Sequence, residues 1–89
     1  MRYKILITKE AQVELGIAEC YFSVKGIQRQ FMADFFKQLE FLESTPYSFQ
    51  IRYRDIRTID FKQFNYSIHY VIKDQVVLIL RILNQKQYF

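Results

Sequence analysis

The chain has 89 residues, 51% of them hydrophobic, with nine Phe and seven Tyr against two Gly and one Pro; this fits a single domain, 1–89, that builds a core, and excludes a disordered segment. The lone Cys20 excludes an internal disulfide, no apolar run reaches the roughly 20 residues of a membrane span, and MRYKILITKE lacks the apolar stretch of a signal peptide, so the expected location is cytoplasmic, with no membrane partner. The net charge of +4 sits in the second half: residues 1–45 hold six basic and six acidic side chains, residues 46–89 seven basic and three acidic, which favours an acidic partner.

Residues 2–7 set Tyr3, Ile5 and Ile7 against Arg2 and Lys4, the period of two that predicts a half-buried strand. Thr8 is placed to cap a helix with Glu10 in its first turn, and Ala11, Leu15, Ala18 and Phe22 recur at steps of three and four. Gly26 interrupts the pattern. A second stripe, Phe31, Phe35, Leu39 and Leu42 flanked by Met32 and Phe36, ends before Ser44-Thr45-Pro46. Two amphipathic helices joined by a short loop predict an antiparallel hairpin.

After Pro46 the period changes to two. Residues 55–62, 65–73 and 76–83 predict three strands in an antiparallel meander, the last two joined by the glycine-free turn Lys73-Asp74-Gln75. The last strand, VVLILRIL, is apolar on both faces and is therefore expected in the middle of the sheet. The helices cover one sheet face, which leaves the other for a partner. Arg81 is expected to point from this strand toward the uncovered face. The predicted fold is α+β, in the order β-α-α-β-β-β, with all strands in one sheet.

Several chemistries are excluded. Gly16 and Gly26, the only glycines, cannot build a phosphate-cradling loop, and Cys20 and His69 lie on different elements with no further Cys or His to complete a metal site, so neither cofactor nor metal is expected. Cys20 reads as a small buried hydrophobe and His69 as a structural hydrogen-bonder or an exposed side chain. Glu10, Glu14, Glu19, Glu40 and Glu43 read as solvated helix surface, not as acid/base pairs.

The strand Tyr3 to Thr8 leading into a helix with Ala11 and Leu15, the phrase Phe31-Met32-Ala33-Asp34-Phe35-Phe36 to Leu42, Pro46, and above all FNYSIHYVIKDQVVLILRILNQK resemble the RelE/ParE superfamily of toxins over nearly the full length. The resemblance implies a growth-inhibiting, plasmid-stabilising toxin of a type II toxin–antitoxin system, neutralised by a cognate antitoxin. RelE-like members are mRNA endoribonucleases working on the ribosome and are expected to carry an arginine just after Tyr66 and another just after the last strand. This chain has Ser67 and Asn84-Gln85 there. The pattern resembles ParE more, which implies inhibition of DNA gyrase by binding. The target-binding residues implied are Arg52, Arg54, Arg57, Lys62, Arg81 and Lys86; under the ribonuclease alternative, with ribosome and mRNA as partners, the catalytic set is Arg54, Arg57, Arg81, Lys86 and Tyr88.

Overall fold

A computed structural model describes residues 2–86 of the chain. Strand β1, Lys4–Ile7, hands directly over to helix α1, Lys9–Val24. Thr8 makes that junction: its hydroxyl accepts from the Ala11 N–H at 3.1 Å, capping the helix, and donates to the Leu80 carbonyl at 3.0 Å, fastening the helix start to the sheet. Gly26 ends α1. At a φ of 76°, which costs glycine no steric energy, it lets the Ile27 N–H reach the Phe22 carbonyl and its own N–H the Ser23 carbonyl, each at 3.0 Å. This double closure turns the chain into α2, Gln28–Ser44, as the helical-hairpin pattern predicts.

A short 3-10 turn, Pro46–Ser48, leads to β2 (Ile51–Tyr53), β3 (Ile56–Asp60), β4 (Tyr66–Lys73) and β5 (Val76–Asn84). The sheet order is β1-β5-β4-β3-β2, with β1 parallel to β5 and every other pair antiparallel. The α+β class, the helical hairpin, the meander and the central last strand are as expected from sequence. The structure adds β2, whose three residues are too few to show a period, and the parallel pairing of the chain's first and last strands.

Both helices pack on one sheet face. Ala11 and Ala18 of α1 and Phe31, Phe35 and Leu42 of α2 bury against Ile59, Ile68, Tyr70, Val77, Ile79 and Ile82. Phe31 is the hub of the aromatic part of this core, with the rings of Phe22, Phe61, Phe64 and Tyr66 centred 4.8 to 5.4 Å away in edge, tilted and stacked arrangements. Tyr70 donates its hydroxyl to the Pro46 carbonyl at 2.6 Å, and burial pushes its pKa up to about 12.

One polar group is built into this core. The buried Asp34 carboxylate of α2 accepts from the backbone N–H of Lys62 at 3.0 Å, that of Gln63 at 2.7 Å, and the Gln38 side-chain amide at 2.9 Å. It pins the β3–β4 loop to the helix layer.

The β4–β5 turn achieves a two-residue reversal with Asp74 at φ 52° and Gln75 at φ 70°, both in the left-handed region that such hairpins favour with glycine or asparagine. Gln75→Gly is therefore expected to stabilise the fold by about 0.5–1 kcal/mol, because a Cβ in that region is crowded by backbone. The check is a urea midpoint; an unchanged or lower midpoint would show that the turn is not strained.

Candidate functional site

The sheet face away from the helices is defined by register. Ser67 pairs with Leu83, His69 with Arg81, Val71 with Leu78 and Lys73 with Val76, while Thr58 and Asp60 of β3 sit beside His69 and Ser67. The alternate residues Ile68, Tyr70, Ile79 and Ile82 belong to the core, so these side chains share the opposite, open face. A bulge decides which residues of β5 appear there. Tyr70 pairs with Ile79 but His69 with Arg81, so Leu80 is the extra residue. Strict alternation from Val77 and Ile79 would have put Arg81 in the core; the bulge returns it to the open face and lets Ile82 bury.

His69 lies at the centre of this face and is fully buried. Its Nδ1 is 2.9 Å from the hydroxyl of Tyr53, which reaches it from β2. Burial, with the neighbouring Arg81 charge adding to it, lowers the His69 pKa below its ordinary 6.5, so the imidazole is neutral at pH 7. Of the two roles expected for it, structural hydrogen-bonder or exposed side chain, it fills the first. Beside it Ser67 donates to Asp60 at 2.6 Å.

Arg81 is on the expected face, but its guanidinium turns around the sheet edge to α1. Its Nε lies 2.8 Å from a Glu14 carboxylate oxygen that Nη2 also contacts, and Glu10 is 3.4 Å away. The other Glu14 oxygen accepts from the Ile82 N–H at 2.9 Å. The reason lies in strand lengths: β1 ends at Ile7 opposite Ile79, so beyond that point Glu14 supplies β5 with the acceptor a strand would have offered. Glu14 is thus not the solvated residue expected. Its spacing of three from Ala11 and four from Ala18, inside the apolar stripe, is the signal that marks it.

The other basic candidates are dispersed. Arg57 pairs with Tyr70 and so shares the helix-side face; it donates to the Phe49 carbonyl at 2.7 Å and the Tyr47 carbonyl at 3.4 Å, and stacks over the Tyr47 ring, clamping the 3-10 turn. Arg52 is exposed on β2 and close enough to His69 to act on its charge. Arg54, at φ 50°, forms the exposed β2–β3 turn. Lys62 follows β3 and Lys86 follows β5, at the opposite end of the sheet from Arg54. Tyr88 lies outside the described residues. Of the ribonuclease set, then, Arg54, Arg57, Arg81 and Lys86 do not converge on one point.

Cys20 is exposed, against expectation: the helix turns it to the side opposite Ala11 and Ala18. Among the described residues no three His, Cys, Asp or Glu side chains form a metal-binding group, and no helix is long and apolar enough to cross a membrane.

The family model of the ParE toxin of the type II toxin–antitoxin system, parDE, matches residues 5–89. The chain belongs to the ParE toxin family. Among solved structures, this ParE family member is similar to a chain of the chromosomal ParDE TA system from P. aeruginosa, at 17% identity and a TM-score of 0.79, covering 92% of this chain and 95% of that one. It is also similar to a conserved hypothetical protein from Helicobacter pylori, at 16% identity and a TM-score of 0.62, covering 98% and 99%. Identities this low bear on the fold alone. No curated protein matched. The RelE/ParE resemblance and its ParE leaning thus stand as expected from Ser67 and the last two strands.

Proposed function

We propose that this ParE family member is a cytoplasmic toxin that inhibits DNA gyrase by binding it, through the open sheet face and its basic ends, and that a cognate antitoxin neutralises it. The observation that carries binding over RNA cleavage is what the strand arginines do. Arg57 is held by two carbonyls of its own chain and Arg81 by Glu14, while Ser67, where RelE-like enzymes are expected to carry an arginine, is bonded to Asp60. A phosphate-orienting set needs several such donors aimed at one point. In this reading Arg52 and the exposed part of Arg81 form the centre of the target surface. Arg54, Lys62 and Lys86 extend it at both ends, and Arg57 contributes by holding the loop ahead of β2.

Induction of the chain without a partner is expected to stop bacterial growth, with DNA damage preceding any loss of mRNA. The purified protein should lower gyrase supercoiling while leaving cell-free translation intact. Translation-dependent mRNA cleavage with normal supercoiling would overturn gyrase in favour of the ribosome, and normal growth with soluble protein would remove the toxin reading itself.

A further inference from the structure

Strand β2 has little backbone to hold it. It is three residues long, all of them exposed, and its register with β3 sets Ile51 opposite Arg57 and Tyr53 opposite Ile56. A step of two residues in β2 thus matches a step of one in β3, a bulge that leaves Arg52 without a cross-strand partner in the register. Ahead of it the Thr58 N–H reaches the Gln50 carbonyl only at 3.4 Å, and behind it the chain turns through Arg54 at a φ of 50°, a conformation that side chains other than glycine rarely adopt. Backbone pairing alone therefore fixes Arg52 poorly.

A side chain ties this strand to the sheet instead. Tyr53 crosses β3 to His69 of β4, its hydroxyl 2.9 Å from Nδ1 and the two ring centres 5.7 Å apart. The His69 end is rigid, because the ring is fully buried between its cross-strand neighbours, the buried Thr58 of β3 and Arg81 of β5. The Tyr53 end is 42% exposed. A hydrogen bond at such a wet edge adds little to global stability, since water replaces it when it opens. Its place is what sets it apart: Arg52, the next residue along β2, and Arg81 both lie close enough to His69 to act on its charge. The tie thus stands between the two cations at the centre of the open face.

We propose that Tyr53 and His69 are a positioning pair for the target surface: their bond fixes the bulge of β2 and so aims Arg52, while neither side chain itself touches the target. The inference rests on the reading that Arg52 contacts the target, and names the residues that hold it ready. What the pair supplies is preorganisation. An arginine on a loose three-residue strand loses backbone and side-chain freedom when it binds, and one whose strand is already held loses less. A bond that served folding alone would leave binding by the folded protein unchanged when removed.

Two measurements on the full chain separate the target from the tie. In supercoiling by purified gyrase, Tyr53→Phe keeps the ring and removes only the hydroxyl; it should raise the concentration needed for half inhibition about fivefold, close to the loss for Arg52→Ala, with both variants folded at the assay temperature by circular dichroism. The double variant should inhibit no worse than Arg52→Ala alone, because a hydroxyl that acts through Arg52 then has nothing left to aim. His69→Asn, with a polar atom where Nδ1 stands, should inhibit nearly as well as the wild type, and His69→Leu should match Tyr53→Phe. Full inhibition by folded Tyr53→Phe would overturn the proposal, and so would additive losses in the double variant, which would make the Tyr53 hydroxyl a direct target contact. With no target present, the backbone order parameter of Arg52 from NMR relaxation should fall from about 0.85 in the wild type toward about 0.6 in Tyr53→Phe. Equal order parameters would overturn the proposal even with inhibition lost. A wild-type chain that leaves supercoiling intact would count against the gyrase reading, and the order parameters would still decide whether the pair holds Arg52.

Discussion

Asp34→Ala is expected to destabilise the fold by about 3 kcal/mol, the loss of a charged acceptor that serves three donors, each such bond contributing about 1.5–3 kcal/mol when buried and less where water can enter. Two of those donors are backbone N–H groups of Lys62 and Gln63 in the loop between β3 and β4. Alanine leaves both without the carboxylate and removes the tie between α2 and the sheet. For a domain of this size the melting temperature should fall by roughly 12–24 °C, at about 4–8 °C per kcal/mol. Asp34→Asn, which keeps one acceptor oxygen, should fall between the two. Calorimetry on the three proteins is the check, and a shift of less than about 5 °C for Asp34→Ala would mean that the loop holds its conformation by itself.

Glu14→Ala should have the next largest effect, about 2 kcal/mol. The carboxylate fills two roles, as acceptor for the Ile82 N–H and as partner of Arg81, and its side chain is 18% exposed. Arg81 is 41% exposed, so the charge pair itself is screened and should account for about 1 kcal/mol at most. A double-mutant cycle with Arg81→Ala separates the roles. Coupling near about 1 kcal/mol with a larger total for Glu14→Ala supports the edge-acceptor role, whereas a total equal to the coupling would deny it. Glu14→Gln, keeping an acceptor but not the charge, should lose only the coupling part. Growth arrest by the same variants bears on function: Arg81→Ala is expected to weaken arrest while Glu14→Ala, at matched soluble levels, retains it. Equal arrest from folded Arg81→Ala would take Arg81 out of the target surface.

How far the site is legible in the sequence differs residue by residue. Arg81 is visible because it is the one charge in the run VVLILRIL, and the open face expected for it is the one it occupies. It gets there through a bulge that no pattern reveals, since one extra residue at Leu80 changes which side chains face the core. Glu14 reads as solvated because a carboxylate among apolar neighbours counts as surface until the short strand β1 leaves β5 in need of an acceptor. Tyr53 escapes notice because β2 has three residues, and its contact with His69 spans strands that are not adjacent in the sheet. Arg57 groups with Arg52 and Arg54 by proximity in the chain, yet the side-chain period of two sends it to the helix side.

By itself the sequence determined the features that arise from local periodicity and composition: a strand and two amphipathic helices broken at Gly26, a meander ending in a doubly apolar strand, and the ParE-like order of aromatic and hydrophobic phrases. These depend on neighbours three or four positions apart in a helix, or two in a strand, and so are present in any stretch of the chain. Only the tertiary structure decided that β1 runs parallel to β5, that a bulge returns Arg81 to the open face, that Glu14 rather than a strand completes the sheet edge, and that Asp34 ties the helix layer to the β3–β4 loop. The contacts of Glu14 and Asp34 with the sheet and its loop join residues 28 or more positions apart, where partners are chosen by strand length and unsatisfied backbone groups and not by the local pattern.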